Sequence, residues 1–521
     1  MGSKMEHAIQ RIVVVGGGSA GWITAGLLAA EHGHESAADF SVTLLESPNV
    51  PIIGVGEGTW PSMRSTLQKL GLSEIEFLRE CDASFKQGTE FVNWSNHDAP
   101  ARYIHPFSLP SEFASLNLAN YWLDQRQHSD FADFVSPQAQ VALSGLAPKQ
   151  CQTPEFAFNV NYGYHFDAGK FAQFLQRHVT QALGVEHVLG HFEQVISDEQ
   201  GDIAALVLSD GRHIEGDLFI DCTGQRSLLI GQHFGTPLEP VDALLFNNRA
   251  LAVQVPYADA QAPIASTTRA TAQQVGWIWD IGLQSRRGIG YVYSDQYQDL
   301  QGAESTLRAY IAATSPGVET ASLALRPIEF QPGFRQQFWV RNCVAVGLSA
   351  GFVEPLEASA LALVEQSANI ITDHLPRTRQ VMDIVAKRFN EKMHYHWQSI
   401  LEFLKLHYVL SKRSEPYWQD NARRESCPDA LVEKLRLWQQ QPPWHEDAPR
   451  IDELFPSASY QYVLYGMGFE PAQGGSARAS HIREQAKAAQ VVRMNRERTE
   501  KLRQGLPSNR ELLTALVGQS G

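Results

Sequence analysis

The sequence predicts an α/β protein with a dinucleotide-binding body, an inserted β-rich part and a mainly helical C-terminal part. Three observations lead there. The chain opens with an apolar β-branched run, a glycine turn and an Ala- and Leu-rich segment. A second apolar run, Asp217 to Asp221, ends at an acid and leads to Gly224. After Glu357 glycine and proline become scarce, and helical periodicity takes over. The expected division is residues 1–375 for the body, with its inserted β-rich segments. Residues 376–521 form the helical part, expected to contribute to a substrate pocket.

Taken in order, Ile12-Val13-Val14-Val15 reads as a strand ended by Gly16-Gly17-Gly18. Trp22 to Ala30 reads as a helix, and Val42 to Leu45 as a strand ending at Glu46. This is a βαβ unit. Residues 50–110 are rich in Gly, Pro and aromatics, and read as loops around a helix near Ser62–Leu70. Phe171 to Ala182 is predicted helical. Residues 186–222 alternate as strands, with a hairpin signal at Asp210-Gly211. Val275 to Leu283 and Gly290 to Ser294 are the clearest later strands. Residues 360–411 are predicted helical, Pro442-Pro443 breaks the chain, and 477–504 is a charged helix. Gly466 and Gly468 predict a turn in the Tyr460 to Pro471 segment.

Composition excludes several classes. The formal charge of −14 and pI near 5.7 repel nucleic acid, so an anion must be attracted by a local site. No basic run suggests an anionic membrane partner. The first apolar run ends in glycines after Val15, so it reads as neither signal peptide nor membrane span. Cys81, Cys151, Cys222, Cys343 and Cys427 lie far apart without CxxC spacing. They read as reduced thiols of a cytoplasmic protein. His394, His396 and His407 have no completing ligands in sequence and predict no metal site.

Gly16, Gly18 and Gly21 form GxGxxG between a strand and a helix. The first glycine makes the turn, the second admits a pyrophosphate, and the third lets helix and strand pack closely. Ser19 and Ala20 open the helix, whose N-terminus offers free N–H groups to phosphates. Glu46 stands where an acid bonds ribose hydroxyls. Glutathione-reductase-type flavoproteins use a strand like Asp217 to Asp221 to bring a second segment back to their cofactor. Asp221 and Gly224 are therefore candidate FAD contacts, and Gly347 is a further one. The sequence has no second GxGxxG for a nicotinamide cofactor, so flavin is expected to arrive already reduced.

From here the residues match a family. The chain resembles the two-component flavin-dependent halogenases of the tryptophan halogenase type. The match runs through Gly16 to Trp22 and Gly54-Val55-Gly56-Glu57-Gly58-Thr59. It continues at Phe85-Lys86-Gln87-Gly88, Trp277-Ile278-Trp279 and Gly351 to Glu357, covering at least residues 10–420. The resemblance implies reduced FAD, oxygen and a chloride or bromide ion as co-reactants. It implies a separate NADH-dependent flavin reductase, and an indole-like small aromatic substrate.

The resemblance also implies site roles. Lys86 occupies the place of the family's essential lysine, where an ammonium or amine would hold hypohalous acid or form a haloamine. Glu357 would orient that species or take the proton leaving the ring. The family's halide site uses backbone N–H groups, which map to Ser359 and Ala360. Val55, Gly56, Glu57 and Gly58 correspond to a strap crossing the flavin. Trp277 and Trp279 would form a wall that keeps substrate from the flavin. His105 and Phe107 would stack on the substrate. The chain departs from the family pattern at Gly58, Trp60, Gly282 and Ala358. A flavin-dependent aromatic monooxygenase is the alternative, although direct oxygen transfer needs no remote lysine. A member that only binds flavin is a third reading.

Overall fold

The β-branched run Ile12 to Val15 is almost wholly buried and forms the strand Arg11–Val15. Around it the computed structural model describes residues 8–33, 40–50, 56–96, 101–472 and 479–518. The strand pairs in parallel with Ser41–Glu46 on one side and Leu218–Asp221 on the other. Glu186–Leu189 and Cys343–Ala345 extend the sheet in parallel, and Trp339–Val340 closes one edge antiparallel. The helix Ser19–His32 crosses between the first two strands and buries most of its length. Parallel strands joined by a helical crossover bury both faces, which is why these strands read as continuous apolar runs.

Glycines decide how closely this unit packs. Gly16 has φ +123°, and a Cβ there would fall 2.2 Å from the Cys222 carbonyl oxygen. A Cβ on Gly21 would lie 1.9 Å from the Gly16 carbonyl oxygen. The turn, the returning strand and the helix thus meet backbone to backbone.

A second, seven-stranded sheet carries the inserted β-rich part. Its order is Arg326–Glu329, Arg249–Pro256, Arg286–Tyr293, Trp277–Gly282, Thr268–Ala272, Gly88–Val92 and Arg102–Pro106. A three-stranded sheet joins Gly56–Gly58 and Ser84–Lys86 to the two edges of Gly163–Asp167. The expected hairpin at Asp210-Gly211 forms between Ile203–Leu208 and His213–Glu215.

Residues 50–110 differ from their loop expectation. The expected helix forms as Ser62–Lys69, and the described residues add the helix Glu74–Glu80 and four short strands, Gly56–Gly58, Ser84–Lys86, Gly88–Val92 and Arg102–Pro106. The strands Ser84–Lys86 and Gly88–Val92 are buried along nearly their whole length. Burial on both faces removes the polar alternation that marks a half-exposed strand.

The expected helical C-terminal part contains Arg379–Val409, Asp429–Trp438, Ala479–Gly505 and Asn509–Gly518, while the helix Ser359–Asp373 falls at the end of the expected body. The turn predicted in the Tyr460 to Pro471 segment is overturned, because Ser457–Gly466 is an α-helix. Its glycines have other reasons. A Cβ on Gly466 would lie 2.4 Å from the Tyr103 ring, so the helix rests on that ring. Gly468, at φ +72°, follows the helix end. One hydrophobic core joins residues from Ile9 to Leu513 and so runs through both expected parts. All five cysteines are free thiols. Among the described residues, no helix is long and apolar enough to cross a membrane.

Candidate active site

A cavity of about 490 Å³ begins at the glycine turn. Gly16, Gly18, Ser19, Ala20, Glu46, Gly224 and Gly347 line this end. A Cβ on Gly18 would meet nothing within 4 Å, so the turn opens onto free space at the helix N-terminus. Glu46 accepts a hydrogen bond from His187 Nε2 at 2.8 Å, which holds its carboxylate beside Gly17. These features fit FAD: free amides and a positive helix end for phosphates, and an acid for ribose.

Asp221 departs from its expected place. Its carboxylate accepts from Thr223, from the Leu229 and Ile230 amides and from Ser349. It braces the loop after the strand, while its neighbours Cys222 to Gly224 line the cavity. Val55 lies outside the described residues. Gly56, Glu57 and Gly58 form the strap strand and line the cavity, where burial pushes the Glu57 carboxyl up to about 7.

Trp277 and Trp279 line the same cavity, as expected for residues two apart on one strand. Trp277 Nε1 donates to Glu354 Oε2 at 2.7 Å, and Asn247 and Tyr408 donate to the same carboxylate. Trp279 lies over Gly290, where a Cβ would come within 2.0 Å of its ring. Gly282 ends this strand, and its carbonyl accepts from Ser84 Oγ at 2.5 Å. That bond links the tryptophan strand to the strand carrying Lys86.

Lys86, Thr89 and Glu357 line the same cavity. The Lys86 side chain is buried, and its Nζ has no hydrogen-bond partner among the described residues. Burial lowers the Lys86 ammonium to about 8, and the charge of Glu357 resists that fall. Lys86 Nζ lies 5.4 Å from the centre of the Phe107 ring. Asn509, at the start of the last helix, donates to the Phe85 carbonyl and braces the strand.

Glu357 is held on several sides. His105 Nδ1 lies 2.7 Å from Oε1, and Thr89 Oγ1 donates to Oε2 at 3.1 Å. His407 Nε2 lies 3.4 Å from Oε1, while its Nδ1 donates to the Phe403 carbonyl. Burial alone would raise this carboxyl, but the two histidines hold it well below the usual range. His105 was expected as a stacking ring. Both its nitrogens are engaged, by Glu357 and by Ser459 Oγ at 2.9 Å, which fixes the plane of the ring. His407, to which the sequence assigned no role, stands beside Glu357. Its spacing from His394 and His396 carried no sign of this, because the meeting is tertiary. His394 and His396 go elsewhere, to the Gln336 carbonyl and to the Asp452 region.

The backbone here is strained. Glu357 has φ 63° and ψ 6°, and Ala358 has φ 56° and ψ 43°. Two consecutive non-glycine residues in the left-handed region cost about 1–2 kcal/mol each. The strain turns the chain sharply into the helix Ser359–Asp373. Ser359 and Ala360 are its first residues, so their N–H groups have no partner within the helix, and both residues line the cavity. A Cβ on Gly58 would lie 3.2 Å from Lys86 Nζ and 3.5 Å from Ala358 Cβ, so strap, lysine and turn meet at one point.

The sequence profile of the family described as Tryptophan halogenase matches residues 11–481. The tryptophan 6-halogenase ThaL of Streptomyces albogriseolus is 30% identical, over 99% of this chain and 100% of its own length. A crystal structure of a tryptophan halogenase from Shewanella frigidimarina NCIMB 400 superposes with TM-score 0.94 at 48% identity, covering 98% of each chain. The flavin-dependent halogenase Xcc4156 from Xanthomonas campestris gives TM-score 0.86 at 33% identity, over 97% of this chain and 98% of that one. With the profile and these relatives spanning nearly its whole length, the chain belongs to the tryptophan halogenase family of flavin-dependent halogenases, oxidoreductases that use reduced FAD, halide and oxygen.

Proposed function

We propose that this chain halogenates an indole-like aromatic, with Lys86 presenting the reactive halogen and Glu357 serving the ring. The observation that carries the reading is the single cavity. The glycine turn lines it, and so does a buried amine that has no hydrogen-bond partner among the described residues. Bound reduced FAD supplies, with oxygen, the oxidising power that converts halide to hypohalous acid. The residues of the chain do the rest. The free amides of Ser359 and Ala360 offer a halide the positive end of a helix. Lys86 Nζ offers its hydrogen bonds to the halogen species that travels along the cavity. Glu357, kept ionised by its histidines, orients that species or accepts the proton released from the ring. Trp277 and Trp279 close the flavin end to substrate, and Phe107 offers a ring face beside Lys86. The flavin would be reduced by a separate NADH-dependent reductase and reach the chain by diffusion.

The aromatic monooxygenase reading would need the substrate beside the flavin, where the two tryptophans stand. A turnover assay with a flavin reductase, bromide and indole decides between the two. Mass spectrometry distinguishes brominated from hydroxylated product. Lys86→Ala is expected to lose bromination while still binding FAD and releasing peroxide from reduced flavin. Bromination retained by this variant contradicts the proposed role.

Glu357→Gln keeps the shape and removes the charge. Turnover is expected to fall at least about tenfold, or about 1.4 kcal/mol of barrier. Glu357 raises the Lys86 ammonium, so its neutralisation should move any pH limb near 8 to lower pH. A rate and pH profile identical to the unmodified enzyme would make Glu357 a structural residue only.

The substrate follows from the helix Ser457–Gly466. Tyr460 packs on Phe403, Tyr462 donates to the Ser108 carbonyl, and Tyr465 packs on Trp122 and Phe131. Turned into the core in this way, these tyrosines offer little to the ammonium and carboxylate of a free amino acid. Desolvating both charges without partners costs affinity. Indole, or a simple substituted indole, is therefore expected to show a higher kcat/KM than free tryptophan at equal halide. A clear preference for tryptophan would contradict this reading of the helix.

A further inference from the structure

We infer that Trp60 is a positioning residue that ties the flavin strap to the strained turn at Glu357-Ala358, and so fixes the amides of Ser359 and Ala360. The inference rests on the proposed halide role of those amides. Trp60 follows the strap strand Gly56–Gly58 by two residues. Its indole N–H donates to the Glu357 carbonyl at 2.7 Å, across 297 positions of sequence. The strap itself is anchored. The Thr59 amide donates to the Tyr164 carbonyl at 2.8 Å, and the Tyr164 amide donates to Thr59 Oγ1 at 2.9 Å. The indole also packs edge-on against Phe455, with ring centres 4.9 Å apart.

The carbonyl that Trp60 holds belongs to the peptide between the two left-handed residues. On its other side, the Ala358 amide donates to the Pro355 carbonyl at 3.0 Å. That peptide plane is therefore gripped at both its oxygen and its N–H. The Glu357 carboxylate is gripped separately, by Thr89 and His105. Losing the Trp60 bond leaves that carbonyl unheld, so the peptide can rotate and the left-handed strain at Ala358 can relax. The carboxylate can stay in place, but the amides that follow swing away. Trp60 thus serves halide binding ahead of the proton chemistry of Glu357.

The test is Trp60→Phe, which keeps a ring against Phe455 and removes the donor. The halide KM at saturating reduced FAD is expected to rise about fivefold or more, as for loss of one buried hydrogen bond. FAD affinity and kcat at saturating halide should change much less. A residue that only stabilises the fold would lower the melting temperature and the active fraction, and leave the halide KM unmoved. The double variant Trp60→Phe with Ala358→Gly provides the second arm. Glycine is at ease in the left-handed region, so the turn needs less tethering and the halide KM should move back. If Trp60→Phe does not fold, Trp60→His, which retains a ring N–H, is compared with Trp60→Leu, and the same rise is expected only in the latter. An unmoved halide KM, or no recovery in the double variant, overturns the inference. A halide KM unmoved by Ala360→Pro, which removes one of those amides in the first helical turn, would instead overturn the reading of the site on which it rests.

Discussion

A buried ammonium and a buried carboxylate in one cavity attract each other strongly, and this site depends on keeping them from collapsing into an ion pair. Attraction rises steeply as water is excluded. A Lys86–Glu357 bridge would be the cheapest way to satisfy both groups, yet among the described residues the amine has no hydrogen-bond partner. The reason lies on the carboxylate. His105 and Thr89 bond its oxygens, and His407 adds a third polar neighbour. Its demand for donors is met by these side chains. The amine then retains unmet hydrogen bonds, and an arriving polar molecule gains by filling them. This arrangement costs stability for the sake of binding, and functional sites are where such a cost is tolerated.

The same logic explains the backbone. A helix starting directly after Glu357 must present its first amides to the cavity, while the glutamate side chain points at the histidines. Meeting both demands within two residues forces Glu357 and Ala358 into the left-handed region. The tryptophan wall is set by a comparable demand. Glu354, three residues upstream, is buried and bound by Trp277, Asn247 and Tyr408. One short segment therefore holds Trp277 through Glu354 and carries Glu357, and all three line the same cavity.

Much of this was legible in the sequence, and what was missed shares a cause. Gly16, Gly18 and Gly21 stand in a spacing whose backbone reasons are local, so strand, turn and helix were readable. Trp277 and Trp279 share a face because strands have period two. Lys86 was reached only through the family resemblance, since its strand is buried on both faces and lacks alternation. The contacts made by His105, His407 and Trp60 are long-range and leave no local trace. His407 looks like any histidine in a long helix, and only folding brings it within 3.4 Å of Glu357. The error at Ser457–Gly466 was of another kind. Gly466 marks close packing on Tyr103 and Gly468 a helix end, but in sequence both look like turn residues.

The separation of Lys86 from Glu357 is tested most directly by following the titration of Lys86 itself, using nitrogen NMR of protein labelled at lysine. In the unmodified chain the Lys86 ammonium should titrate near 8, well below an exposed lysine. In His105→Ala, Glu357 loses its nearest donor and is free to turn towards the amine. The account predicts that Lys86 then titrates at clearly higher pH, as an ion pair forms. A Lys86 titration unchanged by removal of His105 would contradict it.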